Sequence, residues 1–331
     1  MKIVIDSAIP YINGVFEPFA EVVYCLGADI THDMVVDADA LIIRTRTKCN
    51  KALLEGSAVK HIATATIGFD HIDLEYCATN NIEVTSAAGC NARAVLHWMA
   101  GVLAHLSQTQ GWTPEQKRVG IVGVGNVGRL IKEYLEAWGF KVICSDPPRA
   151  QEEGIAEFKS LEEVASVADI LTLHTPLNSS TYHFINKEIL ELLPKGAVVI
   201  NASRGEVIDS EALKVSGVDC VLDVWENEPH IDSELLEKSL LATYHIAGYS
   251  KQGKANGSAI VVRDVAQRFG LPIDNWYPDV EQITPQNVSW QEVTESIINH
   301  IDIAAESRTL KNHIADFETL RNNYNYRDEK F

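Results

Sequence analysis

Positive charge is scarce in this chain. It has 28 lysines and arginines against 46 aspartates and glutamates, a net charge of −18. That balance excludes nucleic acid as the main partner, because a phosphate backbone demands a basic face. It leaves open a small anionic ligand, for which a local cluster is enough. The six cysteines, at 25, 49, 77, 90, 144 and 220, contain no Cys-x-x-Cys pair and no metal-ligand spacing. No metal centre is therefore expected, and reduced thiols in a cytoplasmic protein are. No apolar run approaches the length of a membrane span. The opening MKIVIDSAIP interrupts its apolar run with Asp6, which makes it a strand and not a signal peptide. Low-complexity linkers and solenoid-type repeats are absent too.

What is present is a globular composition, 46% hydrophobic and 22% charged, in a 331-residue chain too long for one ordinary core. Short apolar runs alternate with helix-compatible segments. KIVID (2–6), EVVYCL (21–26), ALIIRT (40–45) and HIATAT (61–66) read as strands, and the rhythm restarts after a long helical stretch, 91–110. The second series is VGIVGVG (119–125), KVICSD (141–146), ADILTLHTP (168–176), AVVINAS (197–203) and DCVLDVW (219–225). Alternation of this kind predicts an α/β fold: two doubly wound, Rossmann-like domains with parallel sheets. The expected division is 1–93 with 249–280, then 94–248, then a short C-terminal segment, 281–331. Within that segment 290–312 has apolar residues at helical spacing, including Val293, Ile297, Ile298, Ile301 and Ile303. A stretch so short must dock its apolar face on something. The final NNYNYRDEKF reads as frayed.

Gly123-x-Gly125-x-x-Gly128 follows an apolar strand and opens an amphipathic helix that leads to a second strand. A lone glycine triplet is a weak signal, but this context is the demanding one for a dinucleotide loop. Gly123 permits the tight turn, Gly125 lets the backbone approach a pyrophosphate, and Gly128 allows close helix packing. Asn126 and Val127 fall at the helix start, where free N–H groups face phosphates. Asp146 ends the second strand, placed to accept hydrogen bonds from a ribose 2′-OH and to repel a 2′-phosphate. NAD is therefore expected over NADP, with nearby Arg149 the one feature pointing the other way.

Hydride chemistry on a hydroxy acid needs a cation for the carboxylate, a proton acceptor for the hydroxyl and an acid to orient that acceptor. Arg204, Glu228 and His245 stand at successive predicted strand ends, where open α/β sheets place such groups. Each has an ordinary alternative: a solvated loop arginine, a first-turn acid before Pro229, a satisfied core histidine. Three together, downstream of a dinucleotide loop, point to a site.

The stretches NASRGEVID (201–209), LDVWENEP (222–229) and HIAGY (245–249) resemble signatures of the D-isomer-specific 2-hydroxyacid dehydrogenase family. TATIGFDHID (64–73) and AAGCNARAV (87–95) extend the resemblance, which runs from residue 1 to about 270. It implies that Arg204 clamps the substrate carboxylate with a fork that lysine lacks. It implies that His245 takes the C2 hydroxyl proton while Glu228 holds its ring and favours its protonated form. Asp223, Thr175 and Gly248 become cofactor contacts, and Thr45, Thr66 and Tyr249 substrate contacts. Arg44 and Arg46, in a chain short of cations, would suit a phosphorylated four-carbon 2-hydroxy acid. The resemblance further implies a homodimer made through a C-terminal domain, which is shortened in this chain. Two readings stand beside this one: a dehydrogenase for another phosphorylated 2-hydroxy acid, such as 3-phosphoglycerate, and a non-catalytic NAD-sensing protein.

Overall fold

The computed structural model of the chain describes every residue except 155 and 156. It divides into two compact units, Met1–Asn91 with Ser250–Ile283, and Ala92–Tyr249 with Thr284–Phe331. The chain thus passes between units near residues 91, 249 and 283, and the C-terminal segment belongs to the second unit.

In the first unit β1 (Lys2–Asp6), β2 (Glu21–Cys25), β3 (Ala40–Ile43), β4 (His61–Thr64) and β5 (Glu83–Ser86) form a sheet in the order β2-β1-β3-β4-β5, with every pairing parallel. Alternate strand residues feed opposite faces. Ile3, Ile5 and Ile42 enter one core, and Val4, Leu41, Ile43 and Ile62 the other. A sheet covered on both faces explains why ALII is apolar without interruption and why all four residues of HIAT are buried. The strands stop at Ile43 and Thr64, sooner than their apolar runs suggest, because Arg44 and Thr66 belong to the turns that follow.

In the second unit β6 (Arg118–Val122), β7 (Lys141–Ser145), β8 (Ile170–Leu173), β9 (Val198–Asn201), β10 (Asp219–Leu222) and β11 (Leu241–Ala242) form a parallel sheet ordered β11-β10-β9-β8-β6-β7. Beyond β7 a single parallel bridge joins Cys144 to Phe158. With that bridge standing for a worn-down strand, the order is the one of dinucleotide-binding sheets. The direction of winding reverses between β6 and β8, and a crevice opens at the carboxyl ends of those two strands. The helix Ala92–Gln110 is buried along most of its length, with Trp98 fully enclosed.

The C-terminal segment departs from the sequence reading in two ways. The expected continuous helix over 290–312 is instead Trp290–Ser296, a 3-10 turn at Ile297–Asn299, and Ile303–Asn312. Asp302 makes the break, its carboxylate accepting the Ala305 N–H at 2.9 Å as an N-cap. Val293, Ile297, Ile301 and Ile303 lie in the core of their own unit, and only Ile298, 60% exposed, faces outward.

The final residues are not frayed. Phe331 is 3% exposed, its ring 4.3 Å from His97 and 5.7 Å from Tyr134. His97 Nε2 accepts backbone N–H groups from Lys330 and Phe331, and burial pushes its imidazole down to about 3, which keeps it the neutral acceptor these bonds require. Truncating such a ring in a core costs about 3–5 kcal/mol. Phe331→Ala should lower the unfolding free energy by an amount of that order in urea titration. A change within about 0.5 kcal/mol, the scale of an exposed substitution, would show that the end of the chain is not packed as described.

Candidate active site

The glycine loop follows β6. Gly123 has φ +85, and a Cβ there would sit 2.7 Å from the His174 carbonyl oxygen and 2.9 Å from Thr175 Cγ2. A Cβ at Gly128 would sit 2.0 Å from the Gly123 carbonyl oxygen, so the helix Asn126–Ala137 packs against its strand only because that residue is glycine. Beside Gly125 the space is open, with nothing within 4 Å of a Cβ position. No side chain caps this helix, so the N–H groups of Asn126, Val127 and Gly128 remain for an anionic ligand. Thr175 Oγ1 is enclosed without a hydrogen-bond partner. An open cradle, an uncapped helix start and an orphaned hydroxyl at one sheet crevice fit a dinucleotide.

Asp146 lies where the reading of the sequence puts it, and the structure adds what holds it. Its Oδ2 accepts the Val124 N–H at 2.7 Å and its Oδ1 the Arg149 N–H at 3.1 Å. Arg149 is spoken for: Nε and one terminal nitrogen donate to Glu153, and the other donates to the Val124 carbonyl at 2.6 Å. The cation that pointed towards a 2′-phosphate is thus neutralised by its own helix.

The second cluster sits at the ends of β9, β10 and β11. Asn201 closes β9 with an Asx turn, its Oδ1 accepting from Ser203 N–H at 3.0 Å and from Ser203 Oγ at 2.7 Å, while its Nδ2 donates to the Arg204 carbonyl at 2.7 Å. That turn sets the half-buried Arg204 at the strand end, with a terminal nitrogen donating to the Ser203 carbonyl at 2.8 Å. A Cβ at Gly205 would overlap the Trp225 backbone, 2.0 Å from its carbonyl carbon, so the Arg204 turn and the turn after β10 pass in contact. Trp225 joins the remaining pieces. Its N–H donates to Glu228 Oε1 at 3.0 Å, and its indole donates to the Thr243 carbonyl at 2.9 Å.

Glu228 Oε2 meets His245 Nδ1 at 2.7 Å. Burial pushes the Glu228 carboxyl up, but His245, Arg321 and the Trp225 N–H outweigh burial and hold it below its ordinary value. With Nδ1 engaged, Nε2 is the nitrogen left to exchange a proton. His245 has φ +61, a backbone state that side chains other than glycine rarely adopt. Asp223, 1% exposed, holds it there. One oxygen accepts from Thr243 Oγ1 at 2.6 Å and Ile246 N–H at 2.8 Å, the other from Ala247 N–H at 2.9 Å. Arg327, 7% exposed, takes the opposite side of the same turn, donating to the Ile246 carbonyl at 3.0 Å and to the Ala247 carbonyl. Gly248 and Tyr249 continue from that turn.

Arg204, Glu228, Asp223 and His245 are therefore brought into one set of adjoining loops. In the first unit, Thr45 is exposed just past β3, and Thr66 Oγ1 lies 2.7 Å from Thr64 Oγ1. The two expected arginines part company. Arg44 donates to the Ala8 carbonyl at 3.0 Å, whereas Arg46, with Lys48 and His32, lines a cleft of about 420 Å³. Asn201, Arg321 and Arg327 were not among the expected site residues. Asn201 was discoverable as a turn-forming residue at a strand end, but nothing near the two arginines in sequence marks them.

The Glu228 geometry carries a pH signature. A carboxyl held below its ordinary value stabilises the fold fully above about pH 4.3, the unperturbed glutamate value, and loses that contribution as pH falls through the lower folded value. Glu228→Gln should therefore lower the melting temperature at neutral pH, with the gap to the parent narrowing below about pH 4. A gap constant across that range would remove the charge from the explanation.

Residues 92–247 match the family described as "D-isomer specific 2-hydroxyacid dehydrogenase, NAD binding domain". A relative from Bacteroides fragilis named erythronate-4-phosphate dehydrogenase is 44% identical over 342 residues, spanning 100% of this chain and 97% of its own length. One of the same name from Escherichia coli is 37% identical, spanning 99% of this chain and 92% of its own length. The expected shortening of the C-terminal domain is thus slight against the Bacteroides relative. Among solved structures, D-lactate dehydrogenase from Aquifex aeolicus complexed with NAD and lactic acid has a TM-score of 0.66 at 23% identity, covering 85% of this chain and 100% of its own. NAD-bound 3-phosphoglycerate dehydrogenase from Entamoeba histolytica reaches 0.70 at 24% identity, covering 86% and 99%, and these two likenesses speak for the fold. With relatives this similar along its whole length, the chain belongs to the D-isomer specific 2-hydroxyacid dehydrogenase family.

Proposed function

We propose that the chain oxidises 4-phospho-D-erythronate at C2 to its 2-oxo acid, (R)-3-hydroxy-2-oxo-4-phosphooxybutanoate, on the route to pyridoxal 5′-phosphate. The observation that carries the chemistry is the His245 Nδ1–Glu228 Oε2 contact of 2.7 Å, in loops that adjoin Arg204. The observation that carries the substrate is the 44% identity to relatives of that name. NAD, when bound, supplies the hydride acceptor. Gly123, Gly125, Asn126, Val127 and Gly128 would hold its pyrophosphate and Asp146 its adenosine ribose, with Thr175, Asp223 and Gly248 towards the nicotinamide end.

The rest is done by the chain. Arg204 pairs with the substrate carboxylate through two parallel N–H donors, which orients C2 and draws charge from it. As the C2 hydrogen leaves with its electron pair, the C2 hydroxyl proton passes to His245 Nε2. Glu228, engaged at Nδ1, keeps the ring aimed so that Nε2 faces the hydroxyl. Thr45, Thr66, Tyr249, Arg44 and Arg46 are proposed for the far end of the substrate on the strength of the family resemblance. The free state of all six cysteines supports a cytoplasmic location. Among the described residues no helix is long and apolar enough to cross a membrane. A homodimer belongs to the same proposal, and light scattering at micromolar concentration checks it.

Initial rates of NADH formation on a panel of phosphorylated and plain 2-hydroxy acids test the proposal. 4-Phospho-D-erythronate should give the highest kcat/KM, and 3-phosphoglycerate outrunning it would reassign the substrate. Absence of turnover on the whole panel would favour an NAD-sensing protein. His245→Ala should lower kcat by about 10²–10⁴-fold with little effect on NAD binding, and Arg204→Lys should remain badly impaired. In the same assay NAD should outperform NADP, with Asp146→Ala narrowing the preference. Equal kcat/KM for the two cofactors in the parent would contradict the assignment of Asp146.

A further inference from the structure

The C-terminal tail reaches the proton-handling pair. The helix Phe317–Asn322 is seated by Phe317, fully buried in the core of the second unit, with Leu320 and Tyr324 packed against the same cluster. From this helix Arg321 extends to two groups at once. A terminal nitrogen lies 3.7 Å from Glu228 Oε2, the same oxygen that meets His245 Nδ1, and its Nε donates to the Tyr249 hydroxyl at 3.1 Å. Tyr249 is further enclosed by two tail rings, Tyr324 at 6.2 Å and Tyr326 at 5.8 Å, both edge-on.

We propose that Arg321 is a positioning residue for the reaction, tying the Glu228–His245 pair to Tyr249 from the C-terminal tail. It touches no reacting atom. Glu228 Oε2 meets His245 Nδ1 at 2.7 Å and the Arg321 guanidinium at 3.7 Å, so the carboxylate plane, and with it the His245 ring, is held from two separate elements. The guanidinium that stands as an ion-pair partner to Oε2 also fixes the phenol of Tyr249 by the bond from Nε. One planar guanidinium thus sets the proton acceptor and a substrate-side hydroxyl in a constant relation, which an ammonium on a flexible stem does less well. The tail is locked in register by Arg327, whose donors reach the Ile246, Ala247 and Ala94 carbonyls. Movement of the tail is therefore transmitted to the His245 turn.

The inference rests on the dehydrogenase reading, and turnover by the parent protein tests that reading on its own. Arg321→Met keeps the volume of the side chain and removes charge and fork. It should lower kcat by about tenfold, within the range of coupling between residues of one network, leaving the KM for NAD unchanged. Arg321→Lys should recover part of that loss. In a Glu228→Gln background the further loss from Arg321→Met should largely disappear, because the group it positions is gone. Unchanged kcat in a folded Arg321→Met protein would overturn the proposal, as would a rise in substrate KM with kcat intact, which marks a direct substrate contact. Strict additivity with Glu228→Gln would overturn it too. Should Arg321→Met fail to fold, the Arg321→Lys and Tyr249→Phe cycle decides by the same criterion of non-additive kcat.

Discussion

The carboxylate of Asp223 is the point on which the catalytic end of the second unit depends. A polar group so enclosed is tolerable only when its oxygens are satisfied. They are satisfied by Thr243 Oγ1 and the N–H groups of Ile246 and Ala247, all from the turn that carries His245. The positive φ of His245 costs on the order of 1–3 kcal/mol. Hydrogen bonds to a charged acceptor contribute about 1.5–3 kcal/mol each, so the clamp on this turn outweighs the strain. Trp98 extends the arrangement inward, its indole donating to Thr243 Oγ1 at 3.1 Å, so the long buried helix also bears on the turn. Neutralising Asp223 would release strain and histidine together.

The two halves of the site follow from one topological fact. In a parallel sheet every strand delivers its carboxyl end to the same edge, so the glycine loop after β6 and the turns after β9, β10 and β11 share that edge. Winding reverses between β6 and β8, which opens the crevice where Gly123 meets the His174 carbonyl and Thr175. The turns after β9 to β11 are then stitched laterally. Gly205 admits the Trp225 backbone, and Trp225 ties Glu228 to the Thr243 carbonyl. The sheet supplies proximity, and the tryptophan supplies relative orientation.

Contiguous patterns in the sequence carried much of this. Apolar runs marked the central strands, the glycine spacing with its flanking strand and helix marked the dinucleotide loop, and Arg204, Glu228 and His245 stood out at strand ends. Each of these signals is local, written within a few residues by periodicity, turn chemistry or the absence of a Cβ. The strands β5 and β11 were not marked, since EVTS is only half-buried and β11 has two residues.

Local pattern misjudged the tail. NNYNYRDEKF is polar and aromatic without periodicity, the signature of a frayed end, yet Arg327, Glu329 and Phe331 are buried. Arg327 finds acceptors some 80 residues away at Ile246 and Ala247, and at Ala94, 233 residues away. Arg321 reaches Tyr249 across 72 residues. The bond from Arg149 to the Val124 carbonyl, the separate destinations of Arg44 and Arg46, and the internal docking of Val293 to Ile303 are of the same kind. The sequence by itself determined most of the strands, the glycine loop suited to a dinucleotide and the three residues proposed to handle the substrate, because those properties reside in short stretches of chain. The tertiary structure alone decided what holds the His245 turn, because an arginine becomes a clamp only when distant carbonyls converge on it.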